Sequence, residues 1–583
     1  MGIPTGSDGN SGSFSISITG VELASGARLE LPKSGVTAIV GPNNSGKTTF
    51  LRQVRQHVAQ GVQAANLGHP ALVLRVEMDR TGTLDDAVAW LKEHAPMTES
   101  ESGTFFHPLN GTAFHEIAVR QTLQAGLSRG MGELQNLLVF YGDAWGRLNG
   151  AQATEQRNSI SDPATSPLHL LQDDHEIFEE LNRISLNVFR RPLTLDRLSK
   201  NVNLRVGQTD VPAPSIDRIT KEYLSALSSL PQLMMQGDGM RSLIGLLAPL
   251  VTSTYPIVFI DEPEAFLHPP QAAAIGKILG EQARLKGIQI ILATHDRNLL
   301  AGLLESEANV SIVRLDRSTE DETIARQLDS DDLRKIWNDP VLRYSNVLDG
   351  LFHRLVVLAE GDRDCRFYAA ALEAAASDIR LPFPPGDVLF VPSGGKAGMP
   401  RLARVLRSVD VPVAVSPDLD VLNNRETIKA IVGSLGEDWQ DIDQDYALAT
   451  VSFRQSRDKV TIGQVLSALN GIFSGREGEV FTAEVKRDFS AQIRSKESPW
   501  SSLKEYGELA FRGQAAQAAE RLLAKLDAMG IVAVRVGELE RFAPTLGVAK
   551  GAAWLPAAIE AGAHKGVAAR RHVAALAETL SGA

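Results

Sequence analysis

A chain of 583 residues is too long for one hydrophobic core, so roughly two to four domains are expected. Hydrophobic residues make up 43% and charged residues 22%, the balance of a soluble globular protein, and the single cysteine, Cys365, excludes a disulfide framework or a multi-cysteine zinc site and fits a reducing cytoplasm. A net charge of −11 confines any nucleic-acid surface to a local basic patch, and no apolar run approaches the ~20 residues of a membrane span.

The opening segment, 1–13, is Gly/Ser-rich, lacks a signal-peptide core and is expected to be disordered. Residues 14–40 read as strands, with SFSISI alternating at period two, and lead into GPNNSGKTT at 41–49. That stretch matches G-x-x-x-x-G-K-[ST] in full and stands between an apolar strand, Val36–Val40, and a helix start. Its chemistry explains its residue types. Gly41 and Gly46 let backbone N–H groups wrap phosphates, and the helix N-terminus adds partial positive charge. Lys47 reaches the terminal phosphates and Thr48 can ligate Mg²⁺; Asn44 and Thr49 complete the ATP-binding candidates. ALVLRVEMD (71–79) reads as another strand. Residues 83–235 read as a mostly helical insertion into the nucleotide-binding domain, which is placed at 14–310.

YPIVFIDEPEAFLHP (255–269) is an apolar strand ending in two acids, a position that suits metal and water chemistry at the edge of an α/β sheet. Asp261 is the candidate for the Mg²⁺ shell and Glu262 for polarising the attacking water. IQIILATHDRNLL (288–300) is a further strand, after which His295 is the candidate γ-phosphate sensor. Together these motifs resemble the ATPase heads of the ABC/SMC type. That resemblance implies a signature loop that caps ATP bound on a second subunit, hence a homodimer. Its counterpart is QGDGMRSLIGLL (236–247), with Gly237, Asp238, Gly239 and Arg241 as candidates, although it departs from the usual Ser-Gly-Gly-Gln form. No convincing glutamine loop can be placed before residue 235.

After an expected connector at 311–352, a second constellation follows in 353–583. HRLVVLAEGDRDCRFYAAALEAA (353–375) is a strand, an acidic turn and a helix carrying Glu360 and Asp364; VPVAVSPDLDVLNN (411–424) is a second strand ending in Asp418 and Asp420. Alternation on an extended segment would put these aspartates on one side. Carboxylates converging at one sheet edge repel each other unless divalent cations neutralise them, and oxygen-only ligands favour Mg²⁺ or Mn²⁺. Between these strands Lys396 can face a phosphate. Residues 425–528 look mainly helical. GIVAVRVGELERF (530–542) reads as a late strand ending in Glu538 and Glu540, with Lys550 after it; helix caps or solvated charges are the alternatives for these three.

E-G-x-x-D followed by D-x-D resembles the TOPRIM fold. An ABC-type head followed by such a domain resembles the OLD (overcoming lysogenisation defect) family of nucleases, which includes the nuclease subunit of the Gabija anti-phage system. The resemblance implies an ATP-binding, metal-dependent DNA endonuclease in phage defence, with Glu360, Asp364, Asp418, Asp420 and Glu538 at the metals and Lys550 on the scissile phosphate. It implies head-to-head dimers that can pair into tetramers, and leaves room for a separate helicase or effector partner. The order is also similar to the PARIS anti-phage system, whose counterpart here would be a regulatory ATPase scaffold that binds without cutting. Candidate DNA contacts are the stretch Arg183–Arg205, with Arg190, Arg191, Arg197 and Lys200, and the tail around Lys565, Arg570 and Arg571.

Overall fold

The computed structural model describes residues 14–62, 71–109, 111–159, 161–317, 323–328, 334, 337, 338, 346–378, 380–454, 461–476, 478–482, 484–486 and 500–579. The expected disordered opening, 1–13, lies outside them. The chain forms two compact units, 1–343 and 344–583.

The first unit is built on a six-stranded sheet in the order Thr323–Leu328, Val310–Arg317, Gly35–Val40, Gln289–Ala293, Ile257–Asp261, Val139–Gly142. All neighbours are parallel except the outermost pair, Val310–Arg317 with Thr323–Leu328. The central strands are buried along their whole length, as a parallel sheet covered on both faces requires, so their sequences run apolar without alternation. A three-stranded antiparallel sheet, Arg28–Glu30, Ser15–Leu23 and Val73–Thr81, lies against it. The buried Gln289 side chain ties the two sheets together. Its Oε1 accepts from Ile18 N at 2.9 Å and its Nε2 donates to the Ile18 and Pro32 carbonyls at 2.7 Å each.

Two expectations differ from this arrangement. The stretch 83–235 is not mostly helical throughout, because strands at Met97–Ser100, Gly103–Phe106, Val139–Gly142, Leu193–Asp196 and Asn201–Val206 interrupt it. Val139–Gly142 is moreover a strand of the central sheet, so the nucleotide-binding fold passes through the supposed insertion. The expected connector likewise begins inside the fold, since Val310–Arg317 pairs with the phosphate-loop strand. Both segments are short or charged enough at their ends that composition hides their membership of the sheet.

The second unit has a parallel sheet ordered Val388–Pro392, Leu355–Ala359, Val413–Ser416. Residues 530–537 run beside the last strand in parallel, but not as the continuous strand expected. Val415 N donates to Gly530 O, Val532 N to Val415 O, Val534 N to Pro417 O and Leu419 N to Gly537 O. Pro417 has no N–H to give at the middle of this ladder, so only isolated bridges form. The described part of 425–528 is helical, including Arg425–Ser434, Gln440–Arg454 and Gln514–Ala528. Among the described residues, no helix is long and apolar enough to cross a membrane.

Candidate functional site

The phosphate loop links the end of the Gly35–Val40 strand to the helix Lys47–Gln60. Gly41 has φ 146, and a Cβ there would lie 2.1 Å from the Leu315 carbonyl oxygen, so only glycine fits. Asn44 and Gly46 are also left-handed, at φ 62 and 96. Lys47, at the helix start with Thr48 and Thr49, is buried, and its ammonium donates to the carbonyls of Gly41 and Pro42 at 2.9 Å each. Burial lowers its pKa, against the pull of Glu262, Glu264 and Asp261. Ser45 Oγ is buried without a hydrogen-bond partner, the kind of orphaned donor a bound phosphate oxygen satisfies.

The Ile257–Asp261 strand ends facing this loop, and Thr48 Oγ1 donates to Asp261 Oδ1 at 3.2 Å. The nominated magnesium pair is therefore in contact. Burial first, and then the neighbouring Glu262, raises the Asp261 pKa, while the Thr48 bond lowers it. Glu262 holds a left-handed φ of 49, a conformation costly for a residue with a Cβ. His295 Nδ1 lies 3.5 Å from Glu262 Oε1 and 3.4 Å from Glu264 Oε1. Glu264, which the sequence reading passed over inside its own motif, is almost fully buried. It accepts from Thr294 Oγ1 at 2.7 Å and from His295 N at 3.0 Å, which aims the histidine.

Arg147 carries no motif, yet it holds this edge together. Its side chain is 1% exposed. It donates to the carbonyls of Gly142 at 2.9 Å, Asp261 at 2.5 Å and Glu262 at 2.8 Å, and to Ser242 Oγ at 3.2 Å. The Glu262 carbonyl bond helps fix the strained residue. Replacing Arg147 with alanine is expected to cost about 3 kcal/mol or more, because several buried acceptors lose their donor; a urea titration checks this.

Ser242 belongs to Asp238–Thr252, the helix following the signature candidates. Gly237 precedes the helix exposed, and a Cβ on Gly239 would lie 2.6 Å from the Phe266 carbonyl oxygen. Arg241 turns inward, donating to Asp238 at 3.0 Å and toward the Leu148 carbonyl at 3.4 Å. Met235 and Phe266 stand exposed beside this loop.

In the second unit, Glu360, Asp418 and Asp420 bring carboxylate oxygens within 4.8 Å of one another. The two aspartates meet by a route other than strand alternation: the strand ends at Ser416 and a 3-10 turn, Leu419–Asn423, follows Asp418. Glu360 Oε1 accepts from Asp418 N at 3.0 Å, and Asp418 Oδ1 is buried without a partner, as a cation ligand in waiting would be. Asp364 lies outside this trio and accepts from Gly361 N at 3.1 Å, capping its own helix. Glu538 is also outside it, bound by Lys550 at 2.8 Å; Lys550 further reaches Glu540 at 3.4 Å. Lys396 pairs with Asp420 and lies 3.6 Å from Glu360, and Lys504, absent from the sequence candidates, lies 3.0 Å from Asp420. Below the site, Ser416 Oγ is 2.9 Å from Nε2 of the buried His572, whose pKa burial pushes down to about 3.

Some basic candidates serve other ends. Arg205 is buried against Asp196 at 2.8 Å, and Arg570 pairs with Asp378. Arg190 and Arg191 are exposed and line a hollow of about 500 Å³ with Phe189, Pro192, Val206 and Gly207.

Residues 138–301 match the family model described as "AAA domain, putative AbiEii toxin, Type IV TA system". The match begins at the Val139–Gly142 strand and takes in Asp261, Glu262 and His295. No curated protein matches the chain. Among solved structures, the SMC head bound to the C-winged helix domain of ScpA is 13% identical, covering 54% of this chain and 99% of its own, at a TM-score of 0.32. The SMC head domain from Thermotoga maritima is 13% identical over 55% and 99%, at 0.28. CbiO1 from Clostridium perfringens, part of the ABC transporter complex cbiONQ, is 15% identical over 58% and 96%, at 0.27. Phosphate loop, Asp-Glu strand end and strand–histidine stand on neighbouring parallel strands of one sheet, with the matched AAA domain around the last two, which is the arrangement of a P-loop ATPase domain.

Proposed function

We propose that the chain is an ATP-hydrolysing, metal-dependent DNA endonuclease of the OLD family, with a TOPRIM-like second unit, acting in anti-phage defence. The observation that carries this reading is the trio Glu360, Asp418 and Asp420, with an orphaned buried carboxylate oxygen on Asp418 and lysines around it. Mg²⁺ or Mn²⁺ bound there would supply an activated water and neutralise charge on the scissile phosphate. Glu360, Asp418 and Asp420 hold the ion, with Asp364 and Glu538 available to a second. Lys550 and Lys396 offer cations to the phosphodiester. In the head, Lys47, Gly41, Asn44, Gly46 and Thr49 bind the ATP phosphates. Thr48 and Asp261 hold its Mg²⁺, Glu262 orients water and His295 senses the γ-phosphate. Gly237 and Gly239, beside the exposed Met235 and Phe266, cap ATP on a second copy in a homodimer.

The test is cleavage of supercoiled and linear DNA with Mg²⁺ or Mn²⁺, with and without ATP. Metal-dependent cutting supports the reading, and its absence under every condition with ATP still hydrolysed overturns it. One observation favours the second reading, a regulatory ATPase scaffold that binds DNA or a partner without cutting: both oxygens of Asp420 are already neutralised by lysines.

The metal reading also sets a pH dependence. Burial, then Glu360 and Asp364, pushes Asp418 up to about 8, and burial pushes Asp364 up to about 6. Both values are raised, so the folded metal-free protein keeps protons that the unfolded chain releases near pH 4. Stability from these groups is therefore lost as pH rises from about 4 through about 8. A bound cation needs the carboxylates ionised, so Mn²⁺ affinity should rise between about pH 6 and about pH 8. Near neutral pH, binding should release on the order of one proton. Calorimetry in two buffers of different ionisation enthalpy counts it, and no release would contradict the assignment.

A further inference from the structure

We infer that Lys504 is a displaceable counter-cation: it competes with a divalent ion for Asp420 and, once displaced, binds the phosphate of the nucleic-acid substrate. The inference rests on reading Glu360, Asp418 and Asp420 as a cation site.

Asp420 has two oxygens, and an ammonium group addresses each. Lys396 takes Oδ1, and Lys504 lies 3.0 Å from Oδ2. A divalent ion seated between Glu360, Asp418 and Asp420 needs at least one of those oxygens, so one lysine must yield. The two are not equivalent. The Lys396 side chain is 23% exposed and is shared with Glu360 at 3.6 Å, whereas that of Lys504 is 45% exposed. Lys504 can regain water with little rearrangement, and a half-exposed pair holds its partner weakly. Lys550 is more exposed still, but it pairs with Glu538 and Glu540 rather than with Asp420, so it does not compete for that oxygen. An incoming double positive charge repels both ammonium groups on Asp420, and Lys504 is the more exposed of the two.

The backbone that presents Lys504 is fixed. It lies on a short helix, Ser501–Tyr506, within the stretch 425–528. Leu503 beside it is fully buried. The segment 535–537 meets this helix at two glycines. A Cβ on Gly537, at φ 113, would lie 2.4 Å from Lys504 O and 2.6 Å from Leu503 O. A Cβ on Gly507, at φ 57, would lie 2.2 Å from Arg535 O. Gly537 O in turn accepts from Leu419 N at 2.9 Å, next to Asp420. The helix is therefore seated on the same backbone that carries Glu538, leaving the lysine's four-carbon arm as the part free to swing. Displaced from Asp420, its ammonium remains tethered within an arm's length of the site by that backbone. A phosphodiester is the anion whose charge it would then meet.

The experiment titrates Mn²⁺ into the full chain by calorimetry, without ATP or DNA, for wild type, Lys504→Ala, Lys504→Gln and Asp418→Ala. It then measures binding of a short fluorescent DNA duplex by anisotropy in Ca²⁺. Losing the competitor should tighten Mn²⁺ about threefold to fivefold in both Lys504 variants. It should also weaken DNA binding and lower the salt slope by about one. Lys504→Arg should restore the DNA affinity. A role in packing alone would leave Mn²⁺ affinity unchanged or lower it, and either result overturns the inference, as does unchanged DNA binding. If wild type binds Mn²⁺, Asp418→Ala abolishes it and the Lys504 variants match wild type, the cation site stands and only this inference falls. If wild type binds no Mn²⁺, both fall.

Discussion

Replacing Lys47 with alanine should weaken ATP binding by on the order of 100-fold and bring ATP hydrolysis to background. A charge-assisted hydrogen bond contributes about 1.5–3 kcal/mol, so losing the ammonium's bonds to phosphate corresponds to a factor of ten to a few hundred in affinity. The structure makes the lysine a better donor than its exposure alone would suggest. It is buried at the start of the phosphate-loop helix, and Glu262, Glu264 and Asp261 oppose the effect of burial on its charge. The substitution also leaves the Gly41 and Pro42 carbonyls without that donor, so a modest loss of stability should accompany the loss of affinity. A fluorescent-nucleotide titration measures the first effect. Unchanged affinity would remove the phosphate-loop assignment, whatever the fate of the second unit. Mn²⁺ binding at Glu360, Asp418 and Asp420 should be unaffected.

Asp418→Ala should reduce DNA cutting at least 100-fold, since even groups that merely support a metal ligand cost 10- to 100-fold when removed. The same change should raise the metal-free protein's thermal stability at neutral pH. Asp418 is held at about 8 by burial and by neighbouring acids, so its ionised form is disfavoured in the fold. Removing it removes the cost of protonating this buried carboxyl on folding. The two readouts move in opposite directions, which separates a lost function from a lost fold. ATP turnover should remain near wild type. A variant that still cuts, or that melts well below wild type, would exclude Asp418 as a buried ligand of the cutting centre.

The legibility of these sites in the sequence follows from how local their chemistry is. The phosphate loop, Asp261–Glu262 and His295 are each written in a handful of consecutive residues, because a turn between strand and helix needs its glycines and acids side by side. Glu360 and Asp418 were legible for the same reason. What the sequence hid is joined through space. Arg147 follows a strand that composition alone does not mark as part of the central sheet, and its partners stand more than ninety residues away at Ser242, Asp261 and Glu262. Lys504 reaches Asp420 from a helix with no motif, positioned by glycines that have no meaning until the backbone they touch is known. The aspartate pair was expected on an extended strand, but Pro417 and the turn after it deliver Asp418 and Asp420 instead. Arg205 looked like a surface cation and lies inside, because its partner Asp196 is nine positions back across a hairpin.

The position of Arg147 has a consequence for communication within the head. One guanidinium bonds to the carbonyls of Asp261 and Glu262 and to the hydroxyl of Ser242 on the helix that follows the signature candidates. A shift of that helix that breaks the Ser242 bond would reach the end of the Ile257–Asp261 strand through this side chain. By thermodynamic reciprocity, if a ligand that favours one placement of the helix alters nucleotide affinity at the strand, the nucleotide alters that ligand's affinity by the same factor. Arg147 is thus one buried route by which cooperativity in this head would pass.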